Sequence, residues 1–292
     1  MTKSCLTPLT LAITVAFTIS AQAEDKPLWS TSGFKNPESV IAAPKREVLY
    51  VSNVNGKPLD KDGNGFISKL DTSGEIDELE WVTGLNAPKG MVMDGDTLYV
   101  TDIDHLVEIN SVSGEITNKY PAKGAIFLND PAIGPDGSIY VSDIAGRKIY
   151  RRAPDGDTLR VWFAPDSLMH VNGLRVEEGK LNVAGWGRNM NDDGSTEVAG
   201  NLFTIDLKTK EMAGLGNGEG VGNLDGLERD ANGNFLATDF IAGALYRISE
   251  DGSYETVLDL NAGSADLEVT EGGTVAIIPM MMDGKVTAYS VK

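Results

Sequence analysis

The sequence predicts an all-β protein, a six-bladed β-propeller, because one short strand pattern recurs six times at a period of roughly forty residues. Each occurrence is a run of β-branched and aromatic residues bounded by turn residues, as in Leu49–Asn53 and Ile139–Asp143. No segment has helical periodicity. The central residues of the six runs are Val51, Val100, Val141, Val183, Ala237 and Ile277.

Each repeat unit is interpreted as four antiparallel strands separated by turns. Pro135–Gly137 is a typical turn between the first and second strands, and Pro154–Gly156 between the third and fourth. Lys148–Arg151 illustrates a third strand and Leu159–Trp162 a fourth. Several short strands per unit favour a propeller over a sandwich or a barrel.

The two ends of the chain complement each other. The sixth unit stops in its third strand, within Lys285–Lys292, and a spare strand-like segment, Pro27–Thr31, precedes the first unit. We therefore expect the N-terminal strand to complete the last blade, which closes the ring and leaves no long unpaired edge. Residues 24–292 would then form one propeller domain.

Residues 1–23 are interpreted as a signal peptide. Lys3 precedes an apolar run, Leu9–Ile19, and Ala21–Ala23 has the small-x-small pattern of a cleavage site. The run is too short to span a membrane. We expect an exported protein, periplasmic if the source is a Gram-negative bacterium and secreted otherwise. Cys5 is the only cysteine, so no disulfide or thiolate ligand is expected after cleavage.

The charge balance limits the classes of partner. A net charge of −18 disfavours nucleic acid and anionic membranes, so a small-molecule substrate is the expected partner. His105 and His170 are the only histidines, which argues against a His-rich zinc site. The oligomeric state stays open.

Three short polar stretches stand at the same place, the start of a unit, in units one, four and five. They carry Glu38, Asn172 and Asp225, which a closed ring would bring together around its axis. Two carboxylates and an amide oxygen are ligands of the kind that calcium selects. The sequence predicts one divalent cation here, with calcium preferred over zinc, manganese or magnesium. The alternative is that these residues only cap the starts of their strands.

The equivalent positions of units two, three and six are assigned to Lys89, Asp130 and Ala265. Asp225 or Asp130 is the expected general base for an attacking water. Lys89 has three interpretations: it offsets the repulsion of the carboxylates, it contacts a substrate oxyanion, or it turns to solvent.

Two connections between second and third strands, residues 53–65 and 185–200, are longer than the others. They belong to opposite blades and are expected to form walls or a lid at the channel mouth, unless they reflect ordinary variation in loop length. Trp186 and Arg188 in the second connection are predicted substrate contacts. His170 is predicted either to contact substrate, with a general base role as one variant, or to make a structural hydrogen bond.

The segment around Asp60, Asp62 and Asn64 matches part of an EF-hand calcium loop. Asp71 stands at its twelfth position, where the motif has a bidentate glutamate, and no helices flank it. A hairpin turn is the favoured interpretation, and a second calcium site is the alternative.

These features together resemble the gluconolactonase, senescence marker protein (regucalcin) and luciferin-regenerating enzyme family. The resemblance covers essentially the whole chain after residue 23 and depends on Glu38, Asn172-Gly173 and Asp225-Gly226 heading blades one, four and five. It implies a six-bladed propeller with one divalent metal held by the Glu, the Asn and the Asp.

The resemblance also bears on the substrate. It implies a substrate contact from Asn129, in the pair Asn129-Asp130. Phe127 stands where sugar-lactone hydrolases of that family have an arginine, which argues against sugar-acid lactones. No serine-nucleophile elbow, HExxH helix or phosphate-binding glycine loop is found.

The expected function is metal-dependent hydrolysis of a lactone or similar ester at the axial mouth. The competing interpretation is a non-catalytic, exported binding or scaffold propeller with a structural metal. Hydrolysis that a chelator abolishes and calcium restores would separate the two.

Overall fold

The computed structural model describes residues 26–216, 220–270 and 272–292, which form six antiparallel sheets. The innermost strand of each sheet packs against that of the next, and the first against the last, so the sheets close into the predicted six-bladed propeller. The predicted signal peptide, residues 1–23, lies outside the described residues.

Each blade runs outward from the channel, and its strands are numbered in chain order. Blade one contains β2 (Pro37–Ala43), β3 (Val48–Asn53), β4 (Gly65–Asp71) and β5 (Ile76–Leu85). Blade two contains β6 (Pro88–Asp94), β7 (Thr97–Asp102), β8 (His105–Asn110) and β9 (Ile116–Pro121). Blade three contains β10 (Leu128–Ile133), β11 (Ile139–Asp143), β12 (Lys148–Arg152) and β13 (Arg160–Phe163).

The remaining blades follow the same order. Blade four contains β14 (His170–Glu177), β15 (Lys180–Met190), β16 (Thr196–Ala199), β17 (Leu202–Asp206) and β18 (Met212–Gly214). Blade five contains β19 (Leu224–Arg229), β20 (Phe235–Asp239), β21 (Ala244–Ile248) and β22 (Tyr254–Asp259). Blade six contains β23 (Glu268–Val269), β24 (Val275–Met280), β25 (Lys285–Ser290) and β1 (Trp29–Ser32).

The ring closes as the sequence predicted. Strand β1 pairs antiparallel with β25 and is the outer strand of blade six. The Trp29 ring lies against Gly74, in the turn between β4 and β5 of blade one, and the Thr31 hydroxyl donates a 2.6 Å hydrogen bond to the Gly74 carbonyl. The closing strand therefore also joins blade six to blade one.

The hydrophobic core lies mainly between neighbouring blades. Between blades one and two, Tyr50, Ile67 and Leu98 are buried in one cluster, and Trp81 stacks on Tyr50 with ring centroids 4.8 Å apart. Within the described ranges, the only helix is one 3₁₀ turn, Pro44–Arg46, and no helix is long and apolar enough to cross a membrane.

The innermost strands share an irregularity that positions the site. In blade one, Pro37 pairs with Asn53 and Val40 with Val51, so the inner strand has one more residue than its partner over this stretch. The same bulge occurs in blades two, three, four and five. A bulge redirects side chains that a regular strand would alternate between its two faces.

Hydroxyl groups of the second strands satisfy backbone groups at the bulges. Ser52, Ser142 and Thr238 accept hydrogen bonds from the backbone N–H groups of Ser39, Asp130 and Gly226 respectively. The fourth such hydroxyl, that of Thr101, donates to the Asn129 carbonyl at the bulge of the next blade. Contacts with the bulges therefore account for the serine or threonine in the second-strand pattern of four units.

The acidic residue that follows this hydroxyl holds the loops at the mouth. Asp143, fully buried, accepts hydrogen bonds from the backbone N–H groups of Ile126, Phe127 and Gly146. Asp102 accepts from the backbone of residue 87 in the same way. These aspartates are structural, and they fix the loops that carry the mouth residues.

The connection 185–200 differs from the expected loop. Strand β15 continues to Met190 and pairs with β16, so most of this segment is a β-hairpin that extends blade four. The connection 53–65 of blade one is a loop, as expected.

Removal of β1 tests the closure. A chain that begins at Gly33 should unfold at a lower temperature than one that begins at Lys26, and should aggregate, because it exposes the β25 edge and loses the Trp29 contact. Thermal denaturation and light scattering of both proteins measure this. Equal melting temperatures and equal monodispersity would contradict the closure.

Candidate functional site

In blades one to five, the residue that follows the first paired residue of the bulge occupies the same position, and its side chain faces the axial channel at the end where the inner strands begin. In blade six the equivalent residue follows Ser264, which forms an isolated bridge with Met280. We call these six residues the polar ring, although the sixth is an alanine: Glu38, Lys89, Asn129, Asn172, Asp225 and Ala265.

The assignment of Asp130 to this ring was wrong by one residue. Leu128 pairs with Asp143 as Pro37 pairs with Asn53, so Asn129 is the equivalent of Glu38. Asp130 lines the cavity at the opposite end of the channel, and its carboxylate accepts a 2.6 Å hydrogen bond from the Leu174 backbone. It does not line the mouth cavity, which leaves Asp225 as the mouth carboxylate for the predicted base role.

The three predicted metal ligands come together in the ring. The Asn172 amide Nδ2 donates a 2.8 Å hydrogen bond to Asp225 Oδ1, and Glu38, Asn172 and Asp225 line one cavity and are each at most 4% exposed. Among the described residues, Glu38 Oε2, Asn172 Oδ1 and Asn129 Oδ1 are buried without a hydrogen-bond partner. Buried oxygens without donors are costly, and a bound cation or ligand would satisfy them.

The carboxylates of the ring favour their protonated forms. Burial, with added repulsion from Asp225 and Asp266, raises the pKa of Glu38 well above its usual value, although Lys89 and Asn129 act in the opposite direction. Burial and the charge of Asp266 likewise raise the pKa of Asp225, although the hydrogen bond from the Asn172 amide lowers it. The channel therefore favours either protons or a cation at these groups.

Lys89 does not turn to solvent, which excludes one of its three interpretations. Its side chain is 1% exposed, and Nζ donates hydrogen bonds to the carbonyls of Pro58 at 3.0 Å and Ala87 at 2.7 Å. Nζ lies 4.7 Å from the centroid of the Phe127 ring. Burial lowers the pKa of Lys89 to about 8, opposed by Glu38 and Asp102. One N–H of the ammonium is left for a substrate oxygen.

Below the polar ring, two more carboxylates narrow the channel. Asp130 and Asp266 follow the ring positions of blades three and six, and glycines stand at this place in blades two, four and five. A Cβ at Gly90 would lie 2.6 Å from Asp130 Oδ1, and one at Gly226 would lie 2.6 Å from Asp266 Oδ1. The glycines make room for the two acids. Burial raises the pKa of Asp266 to about 7, although Ser39 donates a hydrogen bond to it.

An apolar layer surrounds the mouth outside the polar ring. In each blade, the residue before the ring position pairs with a second-strand residue, and the residue that follows this partner is apolar. In five blades a backbone hydrogen bond ties this apolar residue to the segment that leads into an inner strand. We call these six residues the apolar collar: Val54, Ile103, Ile144, Trp186, Phe240 and Met281. The sequence predicted only Trp186 of these as a site residue, although an apolar residue directly follows the strand pattern in every unit.

The polar ring without Ala265 and the collar without Ile103 line a cavity of about 230 Å³ at the mouth. Both long connections contribute to its wall, through Pro58 of blade one and through Met190 of the blade-four hairpin. Trp186 lines it, with its indole N–H bonded to the Gly194 carbonyl at 2.7 Å. His170 and Arg188 do not: His170 Nδ1 bonds to the Ile144 carbonyl at 2.7 Å, the structural alternative.

The EF-hand-like segment forms the end of the blade-one loop. Asp62 accepts hydrogen bonds from the backbone N–H and the side-chain amide of Asn64, and β4 begins at Gly65, as expected for a turn. Asp71 accepts hydrogen bonds from its own turn, at Ser73 and Glu75. In the part of the chain that the structure describes, no group of three or more His, Cys, Asp or Glu side chains is placed to hold a metal.

The opposite end of the channel has a second cavity of about 250 Å³, which Glu228, Glu268 and Arg175 help to line. Arg175 pairs with Glu228 and Glu177. Burial, with Glu228 adding to it, raises the pKa of Glu268 to about 8, although the Ala42 N–H donates a 2.9 Å hydrogen bond to it.

Comparison with solved structures shows the fold. A Xanthomonas campestris protein described as a gluconolactonase important in glucose secondary metabolic pathways superposes with a TM-score of 0.64 at 15% identity, covering 92% of this chain and 88% of that one. A structural-genomics target with the provisional name gluconolactonase gives a TM-score of 0.64 at 20% identity, covering 92% and 93%. A chain of the nidogen/laminin complex gives 0.62 at 17%, covering 78% and 87%.

No protein-family model matches the sequence, and no curated protein sequence does. The similarity to the two gluconolactonase structures is therefore a similarity of fold. It confirms the propeller that the sequence resemblance implied.

The raised pKa of Glu268 predicts an unusual pH dependence of stability. The folded chain keeps a proton that the unfolded chain has lost between about pH 4 and 8, so the free energy of unfolding should fall as pH rises through this range. Glu268→Gln should reduce this fall by at least about 1 kcal/mol between pH 5 and 8. Chemical denaturation at both values, with the exposed Glu78→Gln as control, measures it. Parallel pH profiles for Glu268→Gln and the unchanged protein would refute the assignment.

Proposed function

We propose that the protein is a metal-dependent hydrolase that acts on a lactone or a related ester at the channel mouth. The observation that carries this proposal is the set of three buried acceptor oxygens without donors, Glu38 Oε2, Asn129 Oδ1 and Asn172 Oδ1, beside the Asp225 carboxylate. An arrangement of this kind suits a divalent cation and an electrophilic substrate.

Glu38, Asn172 and Asp225 would hold the cation, and calcium fits them best because all of their donor atoms are oxygens. When bound, a divalent cation supplies Lewis acidity that polarises a substrate carbonyl. Three protein ligands on one side leave the cavity side accessible to substrate. The raised pKa values of Glu38 and Asp225 in the metal-free chain mean that cation binding would displace protons.

The remaining ring residues would bind and orient the substrate. The free N–H of Lys89 points to a place for the carbonyl oxygen and for the negative charge that develops on it, and Asn129 Oδ1 would accept a hydrogen bond from the substrate or the attacking water. Asp225 Oδ2, the carboxylate oxygen that Asn172 does not bond, would take the proton of the attacking water. The Trp186 ring, held by Gly194 and tilted against Phe240 at 5.7 Å, would form one wall.

Lactones are favoured over other esters because of the similarity in fold to the two gluconolactonase structures. The second candidate function is a non-catalytic binding or scaffold propeller, which the similarity to a chain of the nidogen/laminin complex favours. In that case the metal would only stiffen the ring.

We also propose, from the sequence alone, that the protein is exported after removal of residues 1–23. N-terminal sequencing of the exported protein should then begin at Glu24. A first residue upstream of residue 20, or retention of the full chain inside the cell, would contradict this proposal.

Conservative substitutions of the ligands test the metal. Asp225→Asn and Glu38→Gln should raise the melting temperature of the metal-free protein by a few degrees, because each removes a buried like charge. Both should abolish the stabilisation by calcium, which we expect to reach ~3 kcal/mol at a hundredfold excess over Kd. Thermal denaturation with and without calcium measures both effects.

Asp60→Asn is the matched control, because it alters the EF-hand-like loop alone. A calcium response unchanged in Asp225→Asn would refute the proposed ligand set. A response that Asp60→Asn reduces would instead identify the second calcium site.

Substitutions of two asparagines distinguish substrate contact from metal binding. Asn129→Ala should lower kcat for an accepted lactone at least tenfold and leave calcium affinity within about threefold, because Asn129 is not one of the three proposed metal ligands. Asn172→Ala should lower calcium affinity at least tenfold. Steady-state kinetics and calorimetry distinguish these effects. If Asn129→Ala turned over the lactone normally, the chemistry would lie elsewhere.

A further inference from the structure

The mouth cavity has a polar floor and an apolar wall. Five of its lining residues belong to the polar ring, and one more, Gly194, has no side chain. The other nine are apolar: Val54, Pro58, Phe127, Ile144, Ala145, Trp186, Met190, Phe240 and Met281. The floor can therefore recognise one polar group of a ligand, and the wall contacts the rest of it.

Polar groups on the wall are already bonded within the protein. The Trp186 indole N–H donates to the Gly194 carbonyl, and the Ile144 carbonyl accepts from His170. The backbone N–H groups of Ile144, Phe240 and Met281 donate to carbonyls of neighbouring loops. A ligand with several hydroxyls would lose its hydrogen bonds to water and find few replacements, at a cost for each hydroxyl.

The apolar surface continues outward past the cavity. Leu59, Ile126 and Met282 are 45%, 51% and 63% exposed, and each is the direct neighbour in the chain of a wall residue, namely Pro58, Phe127 or Met281. Large exposed side chains at three points of one rim extend the wall. Methionine at both the wall and the rim can adapt to ligands of different shape.

The volume limits what the cavity itself can hold. A cavity of about 150 Å³ accommodates a benzene ring, so 230 Å³ accommodates a ring with a short substituent. A longer chain would lie across the rim.

We propose that the mouth selects a lactone or ester with a hydrocarbon or aromatic body and discriminates against polyhydroxylated lactones. This inference rests on the proposed hydrolase function of the same site. The carbonyl lies against the polar ring, the ring or short acyl part contacts the apolar collar, and a longer alkyl chain lies on the rim.

A series of δ-lactones with alkyl chains of increasing length tests the proposal. With calcium present, kcat/KM should rise roughly threefold for each added methylene until the chain passes the rim, as expected for burial of hydrocarbon. A sugar-derived δ-lactone with the same ring should be hydrolysed at least a hundredfold less efficiently than the longest alkyl member. An equal or higher kcat/KM for the sugar lactone would overturn the proposal and leave the hydrolase function intact.

Substitutions at two equally exposed positions test whether the chain-length effect arises at the rim. Ile126→Ser should reduce the gain per methylene for the longer chains, whereas Val161→Ser, on an outer strand with the same exposure of 51%, should not. Equal effects of the two substitutions would show that the gain does not arise at the rim and would count against the proposal.

A binding measurement separates this inference from the proposed function. Calorimetry with an alkyl δ-lactam, which resists hydrolysis, should show binding that tightens with chain length and has a negative heat-capacity change. If no lactone or ester is hydrolysed but the lactams bind in this way, the function fails and the ligand class holds. If lactones are hydrolysed but chain length does not affect binding or kcat/KM, the ligand class fails alone.

Discussion

The bulge in the innermost strand is the constraint on which the site depends. In a regular strand consecutive side chains point to opposite faces, so only one of two neighbours could reach the channel. The extra residue in blade three directs Asn129 to the mouth cavity and Asp130 to the cavity at the other end. Repetition of this bulge in five blades builds two layers, a polar ring at the mouth and a narrower layer of acids and glycines below it. The hydroxyls of the second strands make the irregularity tolerable because they bond the bulged backbone.

A second consequence of the bulges is an excess of negative charge inside the channel. Burial raises the pKa of Glu38, Asp225, Asp130 and Asp266, and repulsion between carboxylates adds to this: Asp266 acts on the other three, and Glu228 acts on Asp266. Lys89 is the one cation of the ring, but its ammonium is bonded to two backbone carbonyls, and no salt bridge joins it to Glu38 in the described part of the chain. Its placement near Phe127 leaves the carboxylates without a full counter-charge. Affinity for protons or for a divalent cation follows directly from this arrangement.

The repeat pattern predicted six blades, four strands in each and the closing strand, because each depends on periodicity and on turn residues that are visible in the sequence. It did not predict β16, the additional strand of blade four. The wrong assignment of Asp130 to the polar ring shows the limit of predicting from periodicity. A bulge shifts the register by one residue and leaves the periodicity almost unchanged. His170 and Arg188 were expected near substrate because of their position in the chain, but the direction of a side chain depends on local hydrogen bonds, such as that between His170 and Ile144. The apolar collar could not be found from chemical motifs, because it has no reactive groups and is recognisable only as a position that is apolar in every unit.

The layered mouth also bears on the choice between an enzyme and a scaffold. A metal that only stiffened a ring would be enclosed by ligands, whereas catalytic metal sites keep a side open to substrate. Here a cavity of about 230 Å³ adjoins the three proposed ligands. Asn129 is not one of these ligands, and its Oδ1 is buried without a hydrogen-bond donor. A scaffold would gain stability if that buried amide were replaced by an apolar group of similar shape, because an unsatisfied acceptor costs roughly 1–3 kcal/mol. A substrate or transition state that donates a hydrogen bond to Asn129 would offset this cost, whereas a purely structural metal held by the other three residues would not.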